Sequence, residues 1–285
     1  MKLVSFRHDG RESYGLCMND GVIDVGARLQ GTYPTLRSVL EFDALGAVHP
    51  LADAGEVDLR LRDIEFLPVI PDPRKIFCIG INYLKHREET GRAESKYPTI
   101  FTRFADTQVG HLQPAILPRN SSKFDFEGEL AVVIGHVCRH VPAERAIHCV
   151  AGYTCFNDMT LRDWQGHTTQ FTPGKNFPRT GGCGPWLVTA DEIGDLPSLH
   201  LTTRLNGEEM QHAQFADLLF PVPQLIEYLS SFTTLYPGDL IATGTPGGVG
   251  FKRSPPLYMK AGDVISVEIE KIGRLENRIQ AETAG

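Results

Sequence analysis

Apolar positions along this chain follow two rhythms. In "KLVSF" and "VIDV" they recur at every second residue on either side of Asn19-Asp20-Gly21, which predicts a short meander of antiparallel strands. "TLRSVLEFDALG" switches to helical spacing, and "VDLRL" returns to alternation. Three prolines between Pro68 and Lys75 then mark a linker. The pattern predicts a small N-terminal α+β module over residues 1–70, followed by a larger domain over residues 71–285.

From Lys75 onward a period of two dominates. "LHLTTRLNGEEMQHA" reads as a hairpin about Asn206-Gly207, and "GDVISVEIEKIGRLENRI" as a half-buried strand running into another turn. One amphipathic helix interrupts the strands. Val222, Leu225, Ile226, Leu229 and Phe232 recur at three- and four-residue steps until Pro237-Gly238. The second domain is therefore expected to be mainly β with some helix, without repeats or low-complexity tracts.

Composition narrows the partners. With 285 residues, 41% hydrophobic and 22% charged, the chain can bury one full core plus a smaller one. A net charge of −7 without clustered Lys and Arg argues against a nucleic-acid surface. No apolar run reaches the roughly 18 residues that span a bilayer, and "MKLVSFRHDGRES" turns polar too soon for a secretory signal. The expectation is a cytoplasmic protein that acts on a small molecule and engages neither nucleic acid nor membrane. Six scattered cysteines without a C-x-x-C pair are expected to be reduced core thiols, rather than disulfides or a zinc site.

Chemistry enters at "DFEGELAVVIG". In a strand, Asp125, Glu127 and Glu129 share one face, while Phe126, Leu130, Val132 and Ile134 share the other. An edge strand with its acids in water is the ordinary outcome for E-x-E, but the aliphatic continuation points to a central strand. Two buried carboxylates side by side need a cation or several donors. Asp158, between an apolar run and a helix in "GYTCFNDMTLRDWQ", offers a third carboxylate, or else a helix N-cap. An all-oxygen set suits Mg²⁺ or Mn²⁺, with Ca²⁺ the close rival. Asp125 is read as a supporting acceptor or a turn residue.

Three further segments carry candidates. In "GINYLKHREETG", His86 and Glu89 stand at i and i+3 on a short helix, where the carboxylate can orient the imidazole for proton transfer; a surface His beside acids is the plain alternative. Lys175, in the Gly- and Pro-rich "TPGKNFPRTGGCGPW", is either solvated or placed to stabilise an enolate. "YPGDLIATGTPGGVGF" packs four glycines between Gly244 and Gly250, a backbone able to present amides to an anion. It is neither a P-loop nor a G-x-G-x-x-G, so nucleotide binding is disfavoured. His136 and His140 are read as structural.

Taken in order, "GINYLKH", "DFEGELAVVIG", "NDMTLRDWQ", "GPWLVT" and "GDLIATGTPGGVGF" resemble the fumarylacetoacetate hydrolase family from about Arg74 to Ile279, in its acylpyruvate hydrolase and hydroxyheptadienedioate isomerase-like branch. The resemblance implies a mixed β-sandwich roll that forms a homodimer and binds Mg²⁺ or Mn²⁺ through Glu127, Glu129 and Asp158. It also implies a lid carrying His86 and Glu89 that activates water, an active-site Lys175, and substrate contacts from Arg162, Gln165 and Thr245. Two positions depart from the family's pattern. Pro178 stands where an Asp often follows the lysine, and Arg103-Phe104 replaces Lys-Pro; both are expected to line the pocket, with Arg103 touching substrate.

The leading expectation is hydrolytic C–C cleavage of an acylpyruvate or related β-diketo acid through a pyruvate enolate, in catabolism of aromatic compounds or sugar acids. Isomerisation or decarboxylation of a 2-oxo acid such as oxaloacetate passes through the same enolate and is the alternative. A non-catalytic protein with a structural cation is the third reading.

Overall fold

A computed structural model describes residues 1–29, 31–52 and 55–283. At its centre lies the strand Gly128–Ile134, buried along its whole length. Its aliphatic residues divide by parity: Leu130, Val132 and Ile134 enter one apolar cluster, Ala131 and Val133 another. Both faces are therefore core, as an uninterrupted aliphatic run requires. Phe126 belongs to a third cluster with Phe124, Met159 and Leu161 beside the acidic residues.

Val150–Asp158 pairs with this strand on one side and Leu240–Ala242 on the other, both antiparallel. Leu240–Ala242 in turn lies parallel to Ile76–Gly80, which pairs with Thr99–Arg103. Among the described residues the sheet has twelve strands. A second sheet of five strands packs on it, built from the hairpins His200–Leu205/Glu208–Gln214 and Val264–Ile269/Gly273–Ala281 with Ala115–Leu117 at its edge. Leu201, Val267, Ile269 and Leu275 close the shared core against Leu130, Val132 and Ile134. This is the expected mainly β, mixed sandwich-like architecture.

The N-terminal strands do not form a sheet of their own. Lys2–His8 pairs with Gly181–Thr189 through Leu3↔Leu187 and Lys2↔Val188, so residues before the Pro-rich segment extend the large sheet. Leu3, Leu16 and Val39 share an apolar cluster with Ala131, Val133 and Leu187.

Local expectations fare unevenly. The Asn206-Gly207 turn forms with both residues at positive φ, 53° and 87°, the type I′ requirement. "TLRSVLEFDALG" splits into Leu36–Glu41, opened by a Thr35/Ser38 capping box, and Leu45–Ala52, because Asp43 adopts φ 51° between them. The helix Val222–Phe232 forms, yet Phe232 is 54% exposed and lies off the buried face. "VDLRL" contributes only Leu59–Arg60 as strand before a turn. Cys138 and Cys149 are paired as a disulfide with Cα atoms 6.5 Å apart, which corrects the expectation of six reduced thiols. The chain's path brings them together on either side of the helical segment Ala143–Ala146, a closeness that no Cys spacing signals. No helix among the described residues is long and apolar enough to cross a membrane.

Candidate metal centre and substrate cavity

Glu127 sits in a short break between Phe124–Asp125 and Gly128–Ile134, and Glu129 is the second residue of the latter strand. The break is held in place by the neighbouring strand: Asn157 Oδ1 accepts from the Glu127 amide at 3.0 Å, and the Asp158 amide donates to the Glu127 carbonyl at 2.9 Å. Gly128 between the two glutamates has no room for a side chain, since a Cβ there would stand 2.0 Å from Thr203 Oγ1. The result gathers one carboxylate oxygen from each of Glu127, Glu129 and Asp158 within 4.8 Å of one another, all buried.

Cations surround two of the three. Lys175 Nζ donates to Glu127 Oε2 at 2.6 Å and to Asp158 Oδ2 at 2.5 Å. Burial alone would depress the ammonium, but Asp158 and Glu127 outweigh it and raise its pKa above the ordinary lysine value. Arg162 Nη2 lies 2.5 Å from Glu127 Oε1, an ion-pair contact off the hydrogen-bonding line, while its Nε donates to Asp125 Oδ2 at 2.8 Å. Burial pushes the Glu127 carboxyl up, and Arg162, Lys175 and His86 together pull it below its usual range.

Glu129 is the exception. Its Oε2 accepts one bond, from the Gly244 amide at 2.8 Å, and among the described residues it forms no ion pair; Lys175 acts on it more weakly than the neighbouring acids do. Burial, Asp158 and Glu127 all push its pKa well above the ordinary value. A carboxylate so placed needs a positive charge among these three oxygens. The oxygen-only donor set fits a hard divalent cation, which Glu127, Glu129 and Asp158 would hold.

Above the acids lies a cavity of about 460 Å³ whose wall includes Glu127, Glu129, Arg162, Gln165, Lys175 and Thr245. The helix Leu84–Thr90 covers one side and brings His86 into the wall. His86 Nδ1 lies 3.2 Å from Glu89 Oε2, as the i, i+3 spacing predicts. Glu89 also accepts from the Gly248 amide at 3.2 Å through Oε1, so it pins the helix to the Gly-rich loop. Gln165 Oε1 accepts from Arg162 Nη1 at 3.0 Å. Thr245 lines the cavity, but its Oγ1 already donates to the Gly128 carbonyl at 3.0 Å and accepts from Gln211 Nε2 at 2.8 Å.

Arg103, expected to touch substrate, lies behind the acid cluster. It has no exposed side-chain surface and stays out of the cavity wall; Nη1 donates to Asp158 Oδ1 at 2.6 Å and Nη2 to Thr180 Oγ1 at 2.6 Å. It neutralises Asp158 from behind. Phe104 beside it is 56% exposed, and neither Phe104 nor Pro178 lines the cavity.

Asp125 is the supporting acceptor expected of it, and two further residues that build the site, Gln211 and Asn82, are not singled out in the sequence. Asp125 accepts from the Gly250 and Phe251 amides at 2.8 and 3.0 Å as well as from Arg162, locking the Gly-rich loop to the cation. Buried Gln211 accepts from the Gly128 amide at 3.0 Å and donates to Thr245 Oγ1 and the Pro246 carbonyl. Buried Asn82, just before the helix Leu84–Thr90, donates to the Thr243 carbonyl at 2.8 Å and accepts from the Phe220 amide. Only the "GINY" stretch preceding His86 drew notice to Asn82; Gln211 lies in a hairpin that reads as plain structure.

Residues 75–280 match the family described as fumarylacetoacetate hydrolase, C-terminal. A mitochondrial oxaloacetate tautomerase of Xenopus laevis is 38% identical over 287 residues, covering 98% of this chain and 90% of its own length. The human mitochondrial oxaloacetate tautomerase FAHD2A is also 38% identical, over 291 residues, with 98% and 91% covered. Among solved structures, maleylpyruvate hydrolase from Sphingobium sp. SYK-6, in complex with manganese(II) and pyruvate, superposes with a TM-score of 0.83 at 27% identity, covering 99% of this chain and all of that one. Fumarylacetoacetate hydrolase from Exiguobacterium antarcticum gives a TM-score of 0.83 at 33% identity, with the same coverage.

Proposed function

The chain belongs to the fumarylacetoacetate hydrolase family, and on that premise we propose that it interconverts the keto and enol forms of a small 2-oxo dicarboxylate such as oxaloacetate. The observation that carries this reading is the orientation of Glu89. Its carboxylate is taken up by the Gly248 amide and His86, and His86 lines the cavity, so the group that moves a proton inside is the His86 imidazole. One base suffices for a tautomerisation, which takes a proton from carbon and returns it to oxygen. Hydrolysis also needs a water held beside the base.

The roles follow from the contacts. Glu127, Glu129 and Asp158 would hold Mg²⁺ or Mn²⁺, which draws electron density from the 2-oxo oxygen and acidifies the neighbouring C–H. His86, tied through Nδ1 to Glu89, keeps Nε2 for the substrate proton. Lys175 and Arg162 keep positive charge at the cavity floor, where the enolate charge grows as the proton leaves. The relatives' names, oxaloacetate tautomerases at 38% identity, support the same chemistry. A cytoplasmic homodimer completes the reading.

C–C hydrolysis of an acylpyruvate remains the second reading, favoured by the likeness to maleylpyruvate hydrolase. The deciding experiment follows the enol absorbance of oxaloacetate and of acylpyruvates with Mg²⁺, Mn²⁺ or chelator, with pyruvate, carboxylic acid and CO₂ assayed in parallel. Metal-dependent equilibration of oxaloacetate enol without cleavage supports the tautomerase. Stoichiometric pyruvate and acid from an acylpyruvate overturns it in favour of the hydrolase, and CO₂ release in favour of a decarboxylase. In the tautomerase, His86→Asn lowers kcat by about 10²–10⁴, and Glu89→Gln costs far less.

A further inference from the structure

Four cationic side chains line the cavity, and they fall into two pairs. Arg162 and Lys175 are buried and matched to carboxylates. Arg92 and Lys252 are exposed, and among the described residues neither side chain makes an ion pair or a hydrogen bond; Lys252 Nζ only stands over the Phe251 ring, 5.2 Å from its centroid. With a divalent cation on the three acids, the floor of the cavity suffices for one carboxylate and the 2-oxo group of a substrate. Arg92 and Lys252 are left with positive charge and no partner.

Their positions are built, although their side chains are free. Gly91 ends the helix Leu84–Thr90 at φ 67°, and the Arg92 amide donates to the Arg87 carbonyl at 3.2 Å, the Schellman arrangement that fixes the residue after the turn. Arg92 is therefore fixed relative to the helix that carries His86. Lys252 ends the short turn Gly250–Lys252, whose first two amides are held by the Asp125 carboxylate. Glu89, bonded to the Gly248 amide, joins the two supports. Arg92 also borders an adjoining cleft of about 520 Å³ that shares Gly80 and Ile81 with the main cavity, so it stands where the far end of a substrate would emerge.

We propose that Arg92 and Lys252 form a distal carboxylate subsite that makes this protein selective for 2-oxo dicarboxylates over 2-oxo monocarboxylates. The inference rests on the tautomerase reading for the identity of the near end of the substrate. A second carboxylate placed between two unpaired cations gains charge-assisted hydrogen bonds.

The test compares oxaloacetate with its distal monomethyl ester, which differ by one charge, for binding to the Mn²⁺-loaded protein by calorimetry and for enol turnover. The wild type is expected to favour the dianion by about tenfold or more, the scale of one hydrogen bond to a charged group. Arg92→Gln and Lys252→Gln each reduce that ratio, the double variant brings it close to one, and Arg92→Lys keeps most of it. Raising the salt concentration narrows the wild-type ratio. A wild-type ratio near one, or a ratio untouched in the double variant, overturns the subsite. A protein that binds the dianion with an Arg92-dependent preference but turns over neither enol keeps the subsite and overturns the tautomerase.

Discussion

Lys175 Nζ and Glu127 Oε2 stand 2.6 Å apart in a pocket that buries both side chains. The same ammonium reaches Asp158, so one lysine neutralises two of the three clustered acids. Lys175→Met leaves those acids short of a counter-charge. Without metal the variant is expected to lose about 3–5 kcal/mol of stability, the usual cost of breaking a buried ion pair. Mn²⁺ should restore much of it, so the rise in Tm on adding Mn²⁺ is larger than in the wild type. Turnover falls by about 10²–10³, as for loss of one transition-state donor. Calorimetry with and without chelator checks the first outcome, and the enol assay the second.

Glu129 behaves in the opposite sense. Its folded-state pKa lies above the ordinary 4.5 because of burial, Asp158 and Glu127. A raised carboxyl gives stability that is complete below the unfolded value and is lost as pH climbs toward the folded one. Glu129→Gln removes that loss. In metal-free protein the variant should melt higher than the wild type, by about 1–3 kcal/mol at pH 8 on the scale of a relieved buried polar group, with the gap closing toward pH 4. The metal-induced rise in Tm and the turnover both disappear. A variant that melts lower at every pH would show that the carboxylate is not under strain.

Gly128 and Thr203 form a steric pair that double variants can isolate. The Thr203 hydroxyl is buried, has no hydrogen-bond partner among the described residues and sits where a Gly128 Cβ would go. Gly128→Ala alone is expected to cost about 1–3 kcal/mol through overpacking and to displace both glutamates, weakening Mn²⁺ affinity. Thr203→Ala alone costs little. Combined, they recover part of the loss, because the nearest contact is removed while Thr203 Cβ remains 3.3 Å away. Additive losses in chemical denaturation would exclude this packing account.

His111 predicts an acid limb for stability. Burial, and then Arg274, lower its pKa to about 4, and its Nδ1 accepts the Glu276 amide at 3.0 Å, a bond that protonation destroys. The unfolded chain binds this proton below about pH 6.5 while the folded chain does not until about pH 4. Stability should therefore fall as pH drops through that window, by about 3 kcal/mol in all. His111→Gln flattens the slope in urea titrations between those values.

What could be read in advance was local. Glu127 and Glu129 declared themselves because like charges stood at the mouth of an aliphatic run, and Asp158 because it closed another. His86 and Glu89 met as their spacing required. The contacts that decide roles are long-range. Arg103 reaches Asp158 across 55 residues and Gln211 reaches Gly128 across 83, each from a strand whose own pattern speaks only of packing. Glu89 illustrates the limit: its neighbour His86 was foreseeable, but its bond to Gly248, 159 residues away, was not. Pairing partners in a sheet are set by tertiary structure, and a period of two does not name them.

The pairing of Lys2–His8 with Gly181–Thr189 has a practical consequence for anyone dividing this chain. Residues matching the family begin at 75, and a fragment cut there would look complete by homology. It would nonetheless bare the backbone edge of a long strand and uncover Leu187, which has no exposed surface in the intact chain. Bare edges with apolar flanks recruit other chains. The opening seventy residues are thus expected to guard the solubility of the remainder, and their removal should be read first in a sedimentation profile rather than in an activity assay.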